Sequence, residues 1–117
     1  VFDRMAAVEP RLNAFVTVTG ELAERQAKEA EQAYADGEPG LLAGIPLSIK
    51  DLTLTKGIRT TRGSLRYRDW VPEEDAPFVE RAYAAGAVTI GKTNTPESGW
   101  KGETTNRLTG STHNPWK

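Results

Sequence analysis

The residue best placed to do chemistry in this chain is a lysine at the end of a short apolar segment. Residues 44–51 have the sequence Gly-Ile-Pro-Leu-Ser-Ile-Lys-Asp, in which proline suits the start of a strand and the next residues alternate between apolar and polar. Ser48 and Lys50 therefore point to the same face. A lysine that is held away from water can lose its proton and act as a general base. Taken alone, the segment also fits a half-exposed strand whose lysine meets solvent.

None of the serines has the setting of a nucleophile. None of the four lies in a Gly-x-Ser-x-Gly turn between a strand and a helix; they are Ser48, Ser64, Ser98 and Ser111. Ser48 shares a face with Lys50, but two positions along one strand lie roughly 6.5 Å apart with parallel side chains, which is poor geometry for proton transfer. We therefore expect no nucleophile in this chain.

Residues 86–93 match the phosphate-binding pattern G-x-x-x-x-G-K-T, but the predicted elements around them do not fit that loop. Such a loop needs a strand before its first glycine and a helix after its lysine. Here a predicted helix precedes Gly86, residues 87–90 read as a strand, and Pro96 follows closely. We therefore expect no nucleotide at this segment and no cofactor for the chain.

Composition narrows the classes of partner. The chain has 117 residues, of which 38% are hydrophobic and 26% charged, with a formal net charge of -1. This charge provides no basic surface for nucleic acid, and no apolar run is long enough to span a membrane. The chain has no cysteine and a single histidine, His113, so a metal site would need outside ligands. A cysteine-free sequence is compatible with a cytoplasmic location, which is our expectation.

Hydrophobic periodicity predicts alternating helices and strands. The predicted elements, in chain order, are the end of a helix over Arg4–Val8 stopped by Pro10, a strand over Asn13–Val18, a helix over Glu21–Ala35, the lysine strand, a helix over Asp75–Ala85 capped by Asp75, a strand over Ala87–Ile90, and a short helix capped by Thr95. The lysine strand, the helix after it and the strand over 87–90 together predict a right-handed parallel crossover in an α/β sheet.

The remaining segments are predicted to be loops. Residues 51–61 are irregular, with a bent second strand as an alternative, and residues 63–74 form a surface loop. Residues 99–117 have no periodicity. Three tryptophans are predicted to pack within these loops; they are Trp70, Trp100 and Trp116.

Five blocks of the chain together closely resemble the amidase signature family. They match in order and spacing from about residue 12 to residue 117, and they are residues 44–51, 60–64, 75–77, 84–97 and 113–116. The resemblance implies an α/β fold, with part of a mixed, mostly parallel central sheet and flanking helices. It also implies that residues 1–117 are the amino-terminal portion of a single amidase domain.

In that family a nucleophilic serine, a second serine preceded by a cis peptide bond and a lysine hydrolyse amides through an acyl-enzyme. Lys50 matches the lysine, whereas both serines are expected beyond this chain. The resemblance therefore implies an amidase whose partners are a small-molecule amide and the remainder of the amidase chain. Independently of the resemblance, a sheet edge left exposed at the end of this segment would favour pairing with another copy, so a homodimer is a further expectation. The segment alone is expected to be inactive, with Lys50 open to water.

Two other functions stay open. One is the amidotransferase subunit that uses ammonia on charged tRNA together with a partner protein, and the other is a non-catalytic module derived from the fold. By resemblance Lys92 lies at a strand end and braces loops near the site; the alternative is a strand-end cap with a solvated lysine. The turn over residues 60–64 lies close to the family's site, although Ser and Thr beside Gly are also common in ordinary turns. Asp51 is expected to face away from Lys50 and to bond nearby backbone.

Overall fold

A three-stranded mixed sheet forms the centre of the fold in the computed structural model, which describes residues 1–116. Its strands are β1 (Phe15–Val18), β2 (Pro46–Lys50) and β3 (Val88–Thr93), in the spatial order β1-β3-β2. The helices are α1 (Phe2–Leu12), α2 (Gly20–Ala35) and α3 (Pro77–Ala84). Two 3₁₀ turns, Leu65–Tyr67 and Glu97–Gly99, and a small hairpin of β4 (Thr105–Asn106) and β5 (Gly110–Ser111) complete the fold.

The predicted crossover is present, because β2 and β3 pair in parallel and α3 lies between them in the chain. Ile49 lies opposite Lys92, and Lys50 lies opposite Thr93. The other side of β3 pairs antiparallel with β1, which makes the sheet mixed. Strand β3 is central and mostly buried, as expected for a strand covered on both faces. The predicted α/β architecture is therefore confirmed.

The apolar core is built largely from small side chains. Ala23 and Ala30 of α2 are buried, and α2 packs on β3, while Val79 of α3 and Ile49 of β2 are the larger fully buried apolar residues. The largest fully buried side chain, however, is that of Lys92. Polar contacts therefore form part of the interior beside the end of β2.

Several predicted boundaries are wrong at helix ends. Helix α1 runs two residues beyond Pro10, and Asn13 ends it in the left-handed conformation, with φ at 50°, so β1 begins only at Phe15. Asp75 does not cap α3, which begins at Pro77 with Ala76 at its cap position. Instead, the Asp75 carboxylate accepts a hydrogen bond from the backbone N–H of Lys56 at 2.6 Å.

The loop predictions need further corrections. Residues 51–61 form turns and no second strand, and residues 99–116 include the β4–β5 hairpin. The Thr95 hydroxyl donates to the Pro96 carbonyl and does not cap the short 3₁₀ turn that follows. Trp100 and Trp116 are 74% and 90% exposed, so the prediction that they pack within loops is wrong. Within residues 1–116, no helix is both long and apolar enough to cross a membrane.

Candidate active site

Lys50 is the last residue of β2, and its side chain is exposed. This position follows from the alternation of the strand, which buries Ile49 and turns Ser48 and Lys50 outward. The exposure agrees with the expectation that Lys50 is open to water in this segment alone. Its catalytic role stays a prediction.

The residue after Lys50 is fixed on several sides. The Asp51 N–H donates to the Thr93 carbonyl at 2.9 Å, and the Asp51 carbonyl accepts from the Arg62 N–H at 2.9 Å. Its fully buried carboxylate accepts two hydrogen bonds from Thr61, one from the backbone N–H at 3.0 Å and one from the hydroxyl. Burial raises the pKa of Asp51, while the Thr61 bonds and the charge of Lys92 oppose that rise. The predicted bond from Asp51 to nearby backbone is confirmed.

Lys92 lies beneath this end of the sheet and is 0% exposed, so the alternative of a solvated lysine is wrong. Its ammonium donates three hydrogen bonds, to the Thr53 carbonyl at 2.7 Å, the Thr55 hydroxyl at 2.8 Å and the Thr60 hydroxyl at 2.7 Å. The nearer Asp51 carboxylate oxygen, Oδ1, lies 4.0 Å from Nζ. We name this group the Lys92 cluster: Lys92, Asp51, Thr53, Thr55 and Thr60.

The hydrogen-bond partners of Lys92 suit the charged form of its side chain. The Thr55 hydroxyl donates to the Thr53 carbonyl at 3.2 Å, and the Thr60 hydroxyl donates to the Ile58 carbonyl at 3.1 Å. With both hydroxyls donating to these carbonyls, their oxygens accept from Nζ, and together with the Thr53 carbonyl they use all three N–H bonds of an ammonium group. Burial lowers the pKa of Lys92 to about 8, partly offset by the charges of Asp51 and Asp75, so the ammonium form still predominates at pH 7.

The turn over residues 61–64 joins the Asp51 segment to the chain after β3. Arg62 and Gly63 both have positive φ, and a Cβ at Gly63 would lie 2.7 Å from the Thr95 carbonyl oxygen. The Gly63 N–H donates to the Thr61 hydroxyl at 3.1 Å, and the Ser64 hydroxyl donates to Glu97 at 2.6 Å. Because Thr61 also bonds Asp51, this turn lies beside the end of the lysine strand.

Asn94 braces the loops that follow β3. Its Oδ1 accepts hydrogen bonds from the Asn106 amide at 2.9 Å, the Thr109 hydroxyl at 2.7 Å and the Thr95 N–H at 2.9 Å. The Asn94 side chain, which follows β3 directly, therefore helps to hold the β4–β5 hairpin. The sequence of this hairpin has no periodic pattern that would have predicted it.

Sequence reasoning missed one serine spacing. Ser98 stands three residues before Lys101, as in the S-x-x-K motif of some serine hydrolases. Ser98 lies in a tight turn with φ at 53°, and the Lys101 ammonium pairs with Glu103. Within residues 1–116 no hydrogen bond joins Ser98 to Lys101, so the spacing does not form a nucleophile and its base. In the same part of the chain, no cluster of three His, Asp or Glu side chains could hold a metal ion.

The site thus consists of an α/β unit with an exposed lysine at the carboxyl end of a parallel strand, and comparison with known proteins identifies the family. The amidase family profile matches residues 1–117, and the chain belongs to this family. A glutamyl-tRNA(Gln) amidotransferase subunit of Geotalea daltonii is 45% identical over 113 residues, covering 97% of this chain and 23% of that protein. An acylamidase of Rhodococcus erythropolis is 44% identical over 118 residues, covering 100% of this chain and 25% of that protein.

Solved structures show the same relationship. A bacterial aryl acylamidase of the amidase signature family superposes with a TM-score of 0.91 at 30% identity, covering 99% of this chain and 25% of that one. The peptide amidase of Stenotrophomonas maltophilia gives 0.87 at 34% identity, with coverages of 99% and 25%. The chain thus spans about a quarter of the length of these relatives.

Proposed function

We propose that residues 1–117 are the amino-terminal portion of an amidase that hydrolyses a C–N bond, other than a peptide bond, in a small-molecule amide. The observation that carries this proposal is the position of Lys50 at the carboxyl end of β2, directly before the anchored Asp51. Membership of the amidase family supports it. The names of two relatives, an acylamidase and a 6-aminohexanoate cyclic dimer hydrolase, support amide hydrolysis as the type of reaction.

In this proposal Lys50 acts in its neutral form as the general base. It accepts a proton from a bridging serine, which in turn takes the proton of a nucleophilic serine as that serine attacks the amide carbonyl. The amine leaves with a proton returned through the same groups, and water then hydrolyses the acyl-enzyme. Both serines come from the remainder of the amidase chain, which would also cover Lys50 and favour its neutral form.

A second candidate is the glutamyl-tRNA(Gln) amidotransferase subunit, because such proteins from several bacteria are 44–47% identical to this chain. A protein of this kind would need partner subunits and charged tRNA. The two candidates differ in an assay of the purified full-length protein. Turnover of a simple acyl amide without partners supports the amidase, whereas ammonia transfer that requires both tRNA and added partner proteins supports the amidotransferase.

The test of the catalytic proposal is substitution of Lys50 in the full-length protein. Lys50→Met should lower kcat about a hundredfold to ten-thousandfold, the usual contribution of a general base. Lys28→Met is the matched control, because Lys28 is an exposed lysine on α2 that pairs with the exposed Glu24. Residues 1–117 alone should show no turnover. Wild-type activity of Lys50→Met would refute the assignment.

The remaining expectations are also proposals. A homodimer of this segment is proposed through the edge of β2, which in the described sheet pairs only with β3. Size-exclusion chromatography of residues 1–117 beside the full-length protein tests this. A cytoplasmic location is proposed because the cysteine-free sequence is compatible with it.

A further inference from the structure

The proposed mechanism gives no role to the buried ammonium of Lys92. Burying a charge is costly unless it is paired and hydrogen-bonded, and a buried ion pair is weak evidence for stability, because apolar residues of similar volume often serve equally well. Here Lys92 has all three N–H bonds satisfied and a carboxylate 4.0 Å away. Its contacts therefore point to a role in geometry.

The Lys92 cluster controls the segment that leaves Lys50. Thr53, Thr55 and Thr60 all belong to residues 51–61, which begin directly after Lys50 and return to Thr61. Thr61 in turn binds the Asp51 carboxylate. The bonds between Asp51 and Thr61 thus join the two ends of this loop, and Lys92 holds the residues between them.

The backbone of β3 completes the connection. Lys92 lies opposite Ile49, and the next residue, Thr93, lies opposite Lys50 and accepts the Asp51 N–H. One strand therefore fixes the lysine strand through its backbone and the following loop through the Lys92 side chain. The orientation of Lys50 at the end of β2 therefore depends on the backbone pairing with β3 and on the loop that Lys92 holds.

We propose that Lys92 is a positioning residue for amide hydrolysis, which holds Lys50 in its productive geometry through Asp51 and residues 53–60. This inference rests on the proposed role of Lys50 as the base. Without the ammonium, the buried Asp51 carboxylate loses the counter-charge of Lys92, and its Oδ1 already has no hydrogen-bond partner within residues 1–116. The loop then shifts, and a displacement of about 1 Å at a catalytic group costs about a hundredfold in rate.

The first experiment substitutes Lys92 in the full-length protein. Lys92→Met keeps the length of the side chain and removes the charge and the three hydrogen bonds. We expect kcat to fall about 10-fold to 100-fold, with KM within about twofold of wild type. Val79→Ala is the control for lost stability, because Val79 is fully buried in α3 and contributes nothing to the Lys92 cluster. Its kcat should stay within about twofold.

A milder variant keeps the test usable if Lys92→Met fails to fold. Thr60→Val conserves shape and removes one acceptor of the ammonium. We expect a smaller fall in kcat, about threefold to tenfold, again without a matching change in KM. The double variant of Lys92→Met with Asp51→Asn should lose less than the product of the two single losses, because both act on the same geometry.

The outcomes separate the two proposals. Suppose that Lys50→Met is inactive and that Lys92→Met has the same kcat as Val79→Ala. The positioning role is then overturned, and the role of Lys50 stands. If Lys92→Met does not fold, Thr60→Val takes its place in this comparison. A loss confined to KM overturns the positioning role as well. If Lys50→Met is fully active, the proposed function fails, and the positioning role fails with it.

Discussion

The ionisation of Lys92 should be visible in the pH dependence of stability. Burial lowers the pKa of Lys92 to about 8 in the folded protein, against 10.5 for an ordinary lysine. Between these values the unfolded chain keeps the proton and the folded protein has released it. Unfolding then takes up a proton, so the free energy of unfolding rises with pH over this interval. The effect is absent below pH 8 and levels off above pH 10.5.

The size of the effect follows from the two pKa values. Each pH unit between them contributes at most about 1.4 kcal/mol, and the whole interval corresponds to about 3 kcal/mol. Other groups also titrate here, including Tyr83, whose pKa is raised by burial. The quantity to measure is therefore the difference in the free energy of unfolding between the wild type and Lys92→Met. The contributions of the other titrating groups cancel in this difference, which leaves that of Lys92 and its effect on nearby groups such as Asp51.

The assay is urea unfolding of the full-length protein at pH values from 7 to 10.5, followed by tryptophan fluorescence. The stability difference, wild type minus Lys92→Met, should increase with pH above about 8. Lys28→Met removes an exposed lysine instead, and its stability should run parallel to that of the wild type. A wild-type minus Lys92→Met difference that is flat or falls with pH would show that burial does not lower the pKa of Lys92.

Two further substitutions test the packing around the site. Gly91→Ala should lower stability by about 1–3 kcal/mol, because its Cβ would lie 2.4 Å from the Thr17 carbonyl oxygen. The control is Gly20→Ala, which has free space around its Cβ and should leave the Tm of thermal unfolding unchanged. Equal Tm values for the two variants would contradict this reasoning. Ser64→Ala removes the 2.6 Å hydrogen bond to Glu97 and should lower the free energy of unfolding by about 1 kcal/mol. Ser98→Ala is the control, because within residues 1–116 the Ser98 hydroxyl makes no such bond to a carboxylate. Similar losses of stability in both variants would show that the Ser64–Glu97 bond is not stabilising.

The sequence was informative where a structural signal is local. The alternation in residues 46–50, the apolar run before Lys92 and the helical spacing of residues 21–35 predicted β2, β3 and α2 to within a few residues. The parallel crossover followed from their order. Strand β3 continues to Thr93 because β1 pairs with it there, a long-range contact that the apolar run ending at Ile90 could not show.

The predictions from the sequence were wrong where a side chain bonds to groups far away in the chain instead of to its neighbours. Asp75 fits a helix cap by sequence, but the backbone N–H of Lys56, 19 positions away, takes its carboxylate. Lys92 looked equally suited to solvent, since its burial depends on acceptors 32 to 39 positions away. Of the candidate site, the position of Lys50 could be predicted, whereas the cluster behind Lys92 could not.

The separation between Lys92 and its acceptors has a consequence for the order of folding. A hydrated ammonium gives up its water favourably only when replacement acceptors are already in place. Those acceptors lie in the segment between β2 and β3, so bringing them to Lys92 closes a long stretch of chain, which is slow for entropic reasons. We therefore expect the buried charge to form no earlier than the pairing of β2 with β3, which closes the same stretch of chain.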